Sequence, residues 1–176
     1  MIIFDLDGTL ANCEHRRHFV EFPPMWIANP EFQETFLVSP VTLNPACKEF
    51  RQDFDAFHEA CDQDTPIEPV IDIWNDQISL GGMGQHQIWS GRSESVREKT
   101  EKWLNHHLLC FEPRQLKMRP KGCFAPDEVL KEEWLNEAIA QGETIDYVFD
   151  DRPKVVRMWQ RRGIFVFNCA QSDKEF

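Results

Sequence analysis

The chain has 176 residues, a formal net charge of −11 and 41% hydrophobic residues, which suits one main domain with a small insert. No apolar run reaches the ~18 residues that a membrane-spanning helix needs. The negative charge argues against an extensive surface for duplex DNA, because such surfaces use many Lys and Arg contacts to phosphates. Six scattered cysteines without a CxxC pair favour reduced thiols. We therefore expect a cytoplasmic protein without a membrane partner.

The first predicted element is a short strand that ends in acidic residues. Residues 1–4 are apolar and of β type, and Asp5, Asp7, Gly8 and Thr9 follow. Side chains two apart on an extended backbone point the same way, so both carboxylates would begin on one face, and Gly8 allows a sharp turn after them. Two like charges this close are unfavourable unless a cation or a proton separates them. The stretch therefore predicts a metal, an unusual pKa, or both.

Residues 11–66 are predicted to form a mostly helical cap insert, and residues 1–10 and 67–176 to form the core. Several prolines break the insert into short pieces. One helix is predicted after Asn44 and Pro45, with an apolar stripe at helical spacing. The stripe contains Phe50, Phe54, Phe57 and Cys61. Such a stripe usually serves packing, but an insert directly after a catalytic strand can also cover the site.

Four basic residues at positions 15–18 follow the first strand closely. A run of this kind is commonly a solvated surface. In an acidic chain, and this near to Asp7, it also predicts that one arginine reaches a substrate phosphate, with Arg16 as the candidate. A metal site at His15 and His18 is less favoured, because no third ligand is evident.

The next predicted unit is a helix, a strand and a second helix. Apolar residues between 67 and 78 mark the first helix, which Gly81 and Gly82 would end. A strand over residues 87–89 leads into Ser90, Gly91 and Arg92, and Ser93 or Ser95 can cap the following helix. A hydroxyl and free N–H groups at such a junction can hold a phosphate. A nucleophilic serine is the alternative, but no GxSxG sequence is present.

The last third of the chain predicts a strand over 116–118, a helix that Asp127 can cap and that runs to about residue 141, a strand over 145–149, a helix from Pro153 and a strand over 164–167. Lys131, in the first turn of its helix, is either a surface residue or a cation that neutralises a phosphate and a carboxylate. Asp127 lies four residues earlier on the same helix face and could hold Lys131 in position. Asp150 and Asp151 are either helix caps or part of an oxygen-rich site of the kind that Mg²⁺ prefers.

Alternation of strands and helices predicts an α/β fold of Rossmann-like type, with a central parallel sheet flanked by helices. Ligands in such sheets bind beyond the carboxyl ends of the strands. All the candidate residues lie at strand ends or in the following helices, so we expect a single site.

The sequence FDLDGTL at residues 4–10 resembles the first motif of the haloacid dehalogenase (HAD) phosphohydrolase superfamily. Together with WSGR, DEVLKEE and FDDRPKVVRMWQRRG, it resembles the 3′-phosphatase domain of phage polynucleotide kinase–phosphatases, over residues 1–20 and 66–176. No GxxxxGK[ST] loop is present, so we expect no kinase half in this chain. The insert also looks longer than that family needs.

This resemblance implies an aspartyl-phosphate mechanism with Mg²⁺. Asp5 would be the nucleophile and Asp7 the acid/base, while Ser90 and Lys131 would neutralise the phosphoryl group. Metal ligands would be Asp5, Asp7 through its main-chain carbonyl, and Asp150 or Asp151. Predicted substrate contacts are Thr9, Arg16, Gly91, Arg92, Asp127 and Arg152.

Three functions remain open from the sequence. The first is a 3′-phosphatase acting on a single-stranded polynucleotide end. The second is a phosphatase for free nucleoside monophosphates, which the acidic net charge mildly favours. The third is a non-catalytic phospho-acceptor module, against which Asp7 argues because such modules need no second Asp two residues after the first.

Overall fold

A computed structural model describes residues 1–21, 52–81 and 86–170. Its central sheet has five parallel strands in the order β5-β4-β1-β6-β7, and a separate antiparallel pair joins β2 to β3. The strands are β1 (Ile2–Phe4), β2 (Ala11–Asn12), β3 (Thr65–Pro66), β4 (His86–Ser93), β5 (Leu116–Arg119), β6 (Tyr147–Asp150) and β7 (Phe165–Asn168). The α-helices described are α1 (Phe54–Glu59), α2 (Glu68–Ser79), α3 (Arg97–His107), α4 (Asp127–Ala140) and α5 (Pro153–Arg161). The predicted α/β architecture is confirmed.

Strand β1 lies at the centre of the sheet, paired with β4 on one side and β6 on the other. Its side chains alternate between two cores, as the two-residue period of a strand requires. Phe4 packs with Trp74 of α2 and Leu104 of α3 on one face. Ile3 belongs to a second core with Trp134 of α4 and Trp159 of α5. Helices on both faces therefore bury β1 completely and fix the position of the residues that follow it.

The two ends of the predicted insert lie side by side. Asn12 of β2 pairs with Thr65 of β3, and Ala11 pairs with Pro66. Arg16 lies in a 3-10 turn just after β2. The division of the chain at residues 11 and 66 stays a prediction, but the pairing shows that the chain leaves and rejoins the core at one place.

The predicted insert helix differs from the observed one. Asp53 is not helical, and its side chain caps α1 by accepting a hydrogen bond of 2.8 Å from the Ala56 amide. Cys61, which the stripe included, lies in a following 3-10 turn. A local carboxylate cap therefore starts a new helix inside the predicted one. Asn44 and Phe50 lie outside the described residues, as does the predicted stop at Gly82.

Two further helix starts differ from the prediction by a few residues. Ser93 caps a short 3-10 turn over Glu94–Val96 by accepting from the Ser95 amide at 3.2 Å, and α3 begins only after that turn. Asp127 is the first residue of α4 and not its cap, so Lys131 lies in the second turn. Within the described part of the chain, no helix is both long and apolar enough to cross a membrane. The cytoplasmic location stays a prediction.

Candidate active site

Three carboxylates meet at the carboxyl edge of the sheet. Asp5 follows β1, Asp150 ends β6, and Asp151 comes next in the chain. The backbone holds the first two side by side, because the Asp5 amide donates to the Phe149 carbonyl at 2.9 Å. One oxygen from each of Asp5, Asp150 and Asp151 lies within 4.8 Å of the others. Parallel neighbouring strands thus bring residues 145 positions apart into one cluster.

Lys131 reaches this cluster from α4. Its Nζ donates to Asp5 Oδ1 at 2.6 Å and to Asp150 Oδ2 at 2.8 Å, and only 2% of the residue is exposed. Burial alone would lower the pKa of Lys131, but Asp150 and Asp5 raise it above its ordinary value. Lys131 is therefore a buried cation and not the surface residue that the sequence also allowed.

One lysine does not balance three carboxylates. Burial, together with the charges of Asp150 and Asp151, raises the pKa of Asp5 well above its ordinary range in spite of Lys131. Burial and Asp150 raise the pKa of Asp151 to about 6. The cluster therefore keeps an excess of negative charge that a cation would relieve.

The cluster fits a hard divalent cation such as Mg²⁺, which takes carboxylate oxygens as ligands. Asp151 Oδ1 is buried and has no hydrogen-bond partner among the described residues. This oxygen is therefore available as a metal ligand. Gly8 allows Asp151 to lie this close to the first loop. A Cβ on Gly8 would lie 2.1 Å from Asp151 Oδ2, and Gly8 has φ +89°, where only glycine is unstrained.

Asp7 lies beside two arginines. Its Oδ1 accepts from Arg16 Nη2 at 2.6 Å and from Arg92 Nε at 2.8 Å. Burial would raise the pKa of Asp7, but Arg92 and Arg16 lower it well below its ordinary range. Both arginines are fully buried, and Arg92 Nη1 has no partner among the residues described. That free donor suits an anionic group.

Asp64 completes this arrangement, and sequence reasoning missed it. The carboxylate accepts from Arg16 through both of its oxygens and from Arg92 Nη2 through one. His15 Nε2 also lies 2.9 Å from Asp64 Oδ1. No local motif marks Asp64. The signal that could have indicated Asp64 is charge balance, because two buried arginines need more negative charge than the single carboxylate of Asp7 supplies.

Asp127 does not hold Lys131 as the sequence suggested it could. Its carboxylate accepts instead from Arg119 and Arg152, since Lys131 already donates to Asp5 and Asp150. Arg119 was not among the predicted site residues, although it lies in the basic run 114–121. A Cβ on Gly91 would lie 2.9 Å from Asp127 Oδ1, so glycine is needed for this close approach.

The predicted residues occupy two layers around one cavity of about 580 Å³. Those that line the cavity are Asp5, Asp7, Gly91, Asp127, Lys131 and Arg152. Arg16, Arg92 and Asp150 lie behind them and hydrogen bond to them. Ser90 and Thr9 are fully buried. Ser90 Oγ accepts from the Arg92 amide at 3.2 Å, and Thr9 Oγ1 has no partner in the described part of the chain.

This fold, together with the family that the chain matches, defines a HAD-type phosphatase, a phosphoric monoester hydrolase. Residues 42–174 match the family described as the polynucleotide kinase PNKP phosphatase domain. That range is well over half of the chain, so the chain belongs to this family. Asp5 and Asp7 precede the matched range. The structure places Asp5 in one cluster with the matched Asp150 and Asp151, and Asp7 lines the same cavity as Asp5.

Similar proteins agree with this family. A protein of Autographa californica nuclear polyhedrosis virus, provisionally assigned as a bifunctional polynucleotide kinase/RNA ligase, is 38% identical over 88 residues, or 49% of this chain and 12% of that protein. A chain of the Pnkp1/Rnl/Hen1 complex has a TM-score of 0.64 and 23% identity, covering 98% of this chain and 46% of the other. This chain spans less than half the length of these relatives.

A class C acid phosphatase from Bacillus anthracis, solved with tungstate bound, has the same fold. Its TM-score is 0.52 and its identity 12%, and the match covers 97% of this chain and 67% of the phosphatase. At this identity the likeness shows the fold alone.

Proposed function

We propose that the chain is a Mg²⁺-dependent phosphatase that removes a terminal phosphate from nucleic acid 3′ ends through an aspartyl-phosphate intermediate. The observation that carries the proposal is the contact of Lys131 with Asp5, which belongs to a cluster of three carboxylates and itself lines the cavity. A carboxylate in this position can act as a nucleophile, and the buried lysine can neutralise the charge of the arriving phosphate.

The chemistry has two steps. In the first, Asp5 attacks the phosphorus, the ester P–O bond breaks, and Asp7 gives a proton to the leaving oxygen. Because Arg92 and Arg16 lower the pKa of Asp7, Asp7 must take up that proton from solvent before this step. In the second, water attacks the phosphorus of the aspartyl phosphate, Asp7 takes a proton from that water, and Asp5 and inorganic phosphate are released. Mg²⁺ held by Asp5, the Asp7 carbonyl and Asp150 or Asp151 would offset the negative charge of phosphate and carboxylates.

The surrounding donors bind and orient the phosphate. Lys131 offsets the charge of the phosphate, Ser90 offers a hydroxyl as a hydrogen-bond donor, and Arg92 offers the Nη1 that has no partner among the described residues. Arg16 holds Asp7 in place through its 2.6 Å hydrogen bond. Asp127 joins Arg119 and Arg152 at the wall of the cavity, where Arg152 can reach the substrate. Gly91 and Thr9 complete the predicted contacts.

Two features support a strand end as substrate. The family is the phosphatase domain of a polynucleotide kinase, and side chains of α1 in the predicted cap line the cavity beside Asp5. The net charge of −11 disfavours a long duplex interface and keeps free nucleoside monophosphates as the second candidate.

The test compares phosphate release from a 3′-phosphorylated oligonucleotide, its 5′-phosphorylated isomer and free 3′- and 5′-monophosphates, with Mg²⁺ and with a chelator. We expect the 3′-phosphorylated strand to have the highest kcat/KM, and the chelator and Asp5→Asn to abolish turnover. Higher kcat/KM for a free nucleotide would support the second candidate. Unchanged turnover by Asp5→Asn would exclude the aspartyl-phosphate mechanism.

A further inference from the structure

Phe124 is held in an exposed position at the cavity. It is 92% exposed, yet the loop that carries it is tied down on both sides. Arg119 Nη1 donates to the Ala125 carbonyl at 2.6 Å and to the Cys123 carbonyl at 3.3 Å. The Cys123 amide in turn donates to the Pro120 carbonyl at 3.0 Å. The ring is therefore presented by an ordered loop.

A second aromatic residue lines the same cavity from the predicted cap. Phe54, in the first turn of α1, is 50% exposed. His58 lies four residues later on the same helix face and also lines the cavity. The neighbouring Phe57 differs, because the Arg16 guanidinium lies 4.1 Å from the centre of its ring. Phe57 thus supports the arginine pair, whereas much of Phe54 is left open to the cavity.

We propose that Phe54 and Phe124 form a stacking site for the terminal base of a single strand whose 3′-phosphate lies at Asp5. This inference rests on the proposed function and names the part of the substrate that the cavity holds. Aromatic side chains bind unpaired bases by stacking on their faces, without regard to base identity. A base inside a duplex is already stacked and paired, so the site selects unpaired ends.

Cavity size and charge agree with this occupant. Pockets that hold small ligands have volumes of about 300–1,000 Å³, and this one has about 580 Å³. Lys121 and Arg152 line it together with the two phenylalanines. Their charge suits the anionic backbone of a strand leaving the cavity. A phosphopeptide is the competing occupant, and the experiment below includes it.

The experiment measures kcat/KM of wild type, Phe54→Ala and Phe124→Ala on four substrates. They are a 3′-phosphorylated oligonucleotide, the same strand with an abasic terminal nucleotide, glycerol phosphate and a phosphotyrosine peptide. Loss of one base stack corresponds to a roughly five- to 150-fold decrease. We expect this decrease for each variant on the normal strand, and none on the abasic strand or on glycerol phosphate. Wild type should lose a similar factor on the abasic strand.

Three further variants separate stacking from general damage. Phe124→Trp keeps an aromatic face and should retain the activity that Phe124→Leu loses. Phe165→Ala removes a ring that is 65% exposed and lies outside the cavity, and should change nothing. With the Asp5→Asn protein, a fluorescent adenine analogue at the strand end should be quenched on binding, and Phe124→Ala should abolish the quenching.

The outcomes distinguish a failure of the proposed stacking site from a failure of the proposed 3′-phosphatase function. If wild type cleaves normal and abasic strands equally and both Ala variants match it, the stacking site is wrong while the 3′-phosphatase stands. If wild type cleaves glycerol phosphate but no strand, the proposed function fails and the inference fails with it. A preference for the peptide that Phe124→Ala removes would assign the site to a phosphopeptide instead.

Discussion

Arg16 and Asp64 are joined by two buried hydrogen bonds, Nε to Oδ1 and Nη2 to Oδ2, each 2.7 Å long. The same Arg16 Nη2 donates to Asp7 at 2.6 Å. Asp64 lies directly before β3, and Asp7 lies three residues after the end of the central strand β1. The arginine therefore connects the returning end of the predicted insert to the acidic site.

Replacing Asp64 by Asn should destabilise the protein and slow the reaction. The variant keeps the volume of the side chain but leaves two buried arginines with one carboxylate. Breaking a buried ion pair on one side costs about 3–5 kcal/mol of unfolding free energy. We expect a loss of that size in urea denaturation and at least a roughly tenfold lower kcat/KM, because Arg16 and Arg92 lose their support.

The matched control is Asp62→Asn, an exposed acid two residues earlier in the chain. It should change stability by less than about 0.5 kcal/mol. Equal stability of the Asp64 and Asp62 variants would show that the buried cluster tolerates an unpaired arginine.

Lys131→Gln should lower kcat by roughly 100-fold or more, the loss typical of removing one charged group that stabilises the transition state. Gln cannot neutralise Asp5 and Asp150, which Lys131 contacts at 2.6 and 2.8 Å. Single-turnover phosphate release measures the effect. Lys154→Gln changes an exposed lysine of α5 and should keep full activity. A less than twofold loss by Lys131→Gln would remove this residue from the mechanism.

Gly8→Ala and Gly142→Ala separate backbone strain from a steric clash. Both glycines have positive φ, +89° and +85°, but a Cβ at Gly142 meets nothing within 4 Å, whereas one at Gly8 lies 2.1 Å from Asp151 Oδ2. Gly142→Ala should cost about 1–2 kcal/mol of stability and retain activity. Gly8→Ala should cost more and lose Mg²⁺-dependent turnover. Equal turnover in the two variants would show that Asp151 can move away without consequence.

The metal-free protein should lose stability as the pH rises from about 4 to about 6. Burial and Asp150 raise the pKa of Asp151 from 3.8 to about 6, so in this range the folded state keeps a proton that the unfolded chain has released. Because the folded state binds more protons than the unfolded state in this range, the free energy of unfolding falls as the pH rises. The expected decrease between pH 4 and pH 6 is about 2 kcal/mol. Chemical denaturation across this range, in the presence of a chelator, measures the change.

Mg²⁺ should reverse this loss, because the ion and the proton compete for the same carboxylate. We expect Mg²⁺ to raise the Tm little at about pH 5 and several degrees above about pH 7. Asp151→Asn should remove most of both effects. An equal shift in Tm at the two pH values would indicate that the ion binds elsewhere.

The parallel sheet and the meeting of Asp5 with Asp150 could be predicted from the order of the residues alone. Short apolar strands alternate with amphipathic helices, and the carboxyl ends of parallel strands meet at one edge of the sheet. The strand that precedes each acidic turn therefore places that turn at this edge. The first residues of the helices α1 and α3 were not predicted correctly. Asp53 and Ser93 begin turns through hydrogen bonds that other polar residues nearby could equally have made.

Which charged side chains pair with one another could not be predicted in this way and became clear from the folded chain. Asp64 joins arginines 48 and 28 residues away, and Asp127 binds Arg119 and Arg152 although Lys131 is its helical neighbour. Long charged side chains can reach several partners, and the choice depends on which of them are buried together. Periodicity describes what a segment buries, whereas ion pairing depends on the whole set of charges that folding encloses.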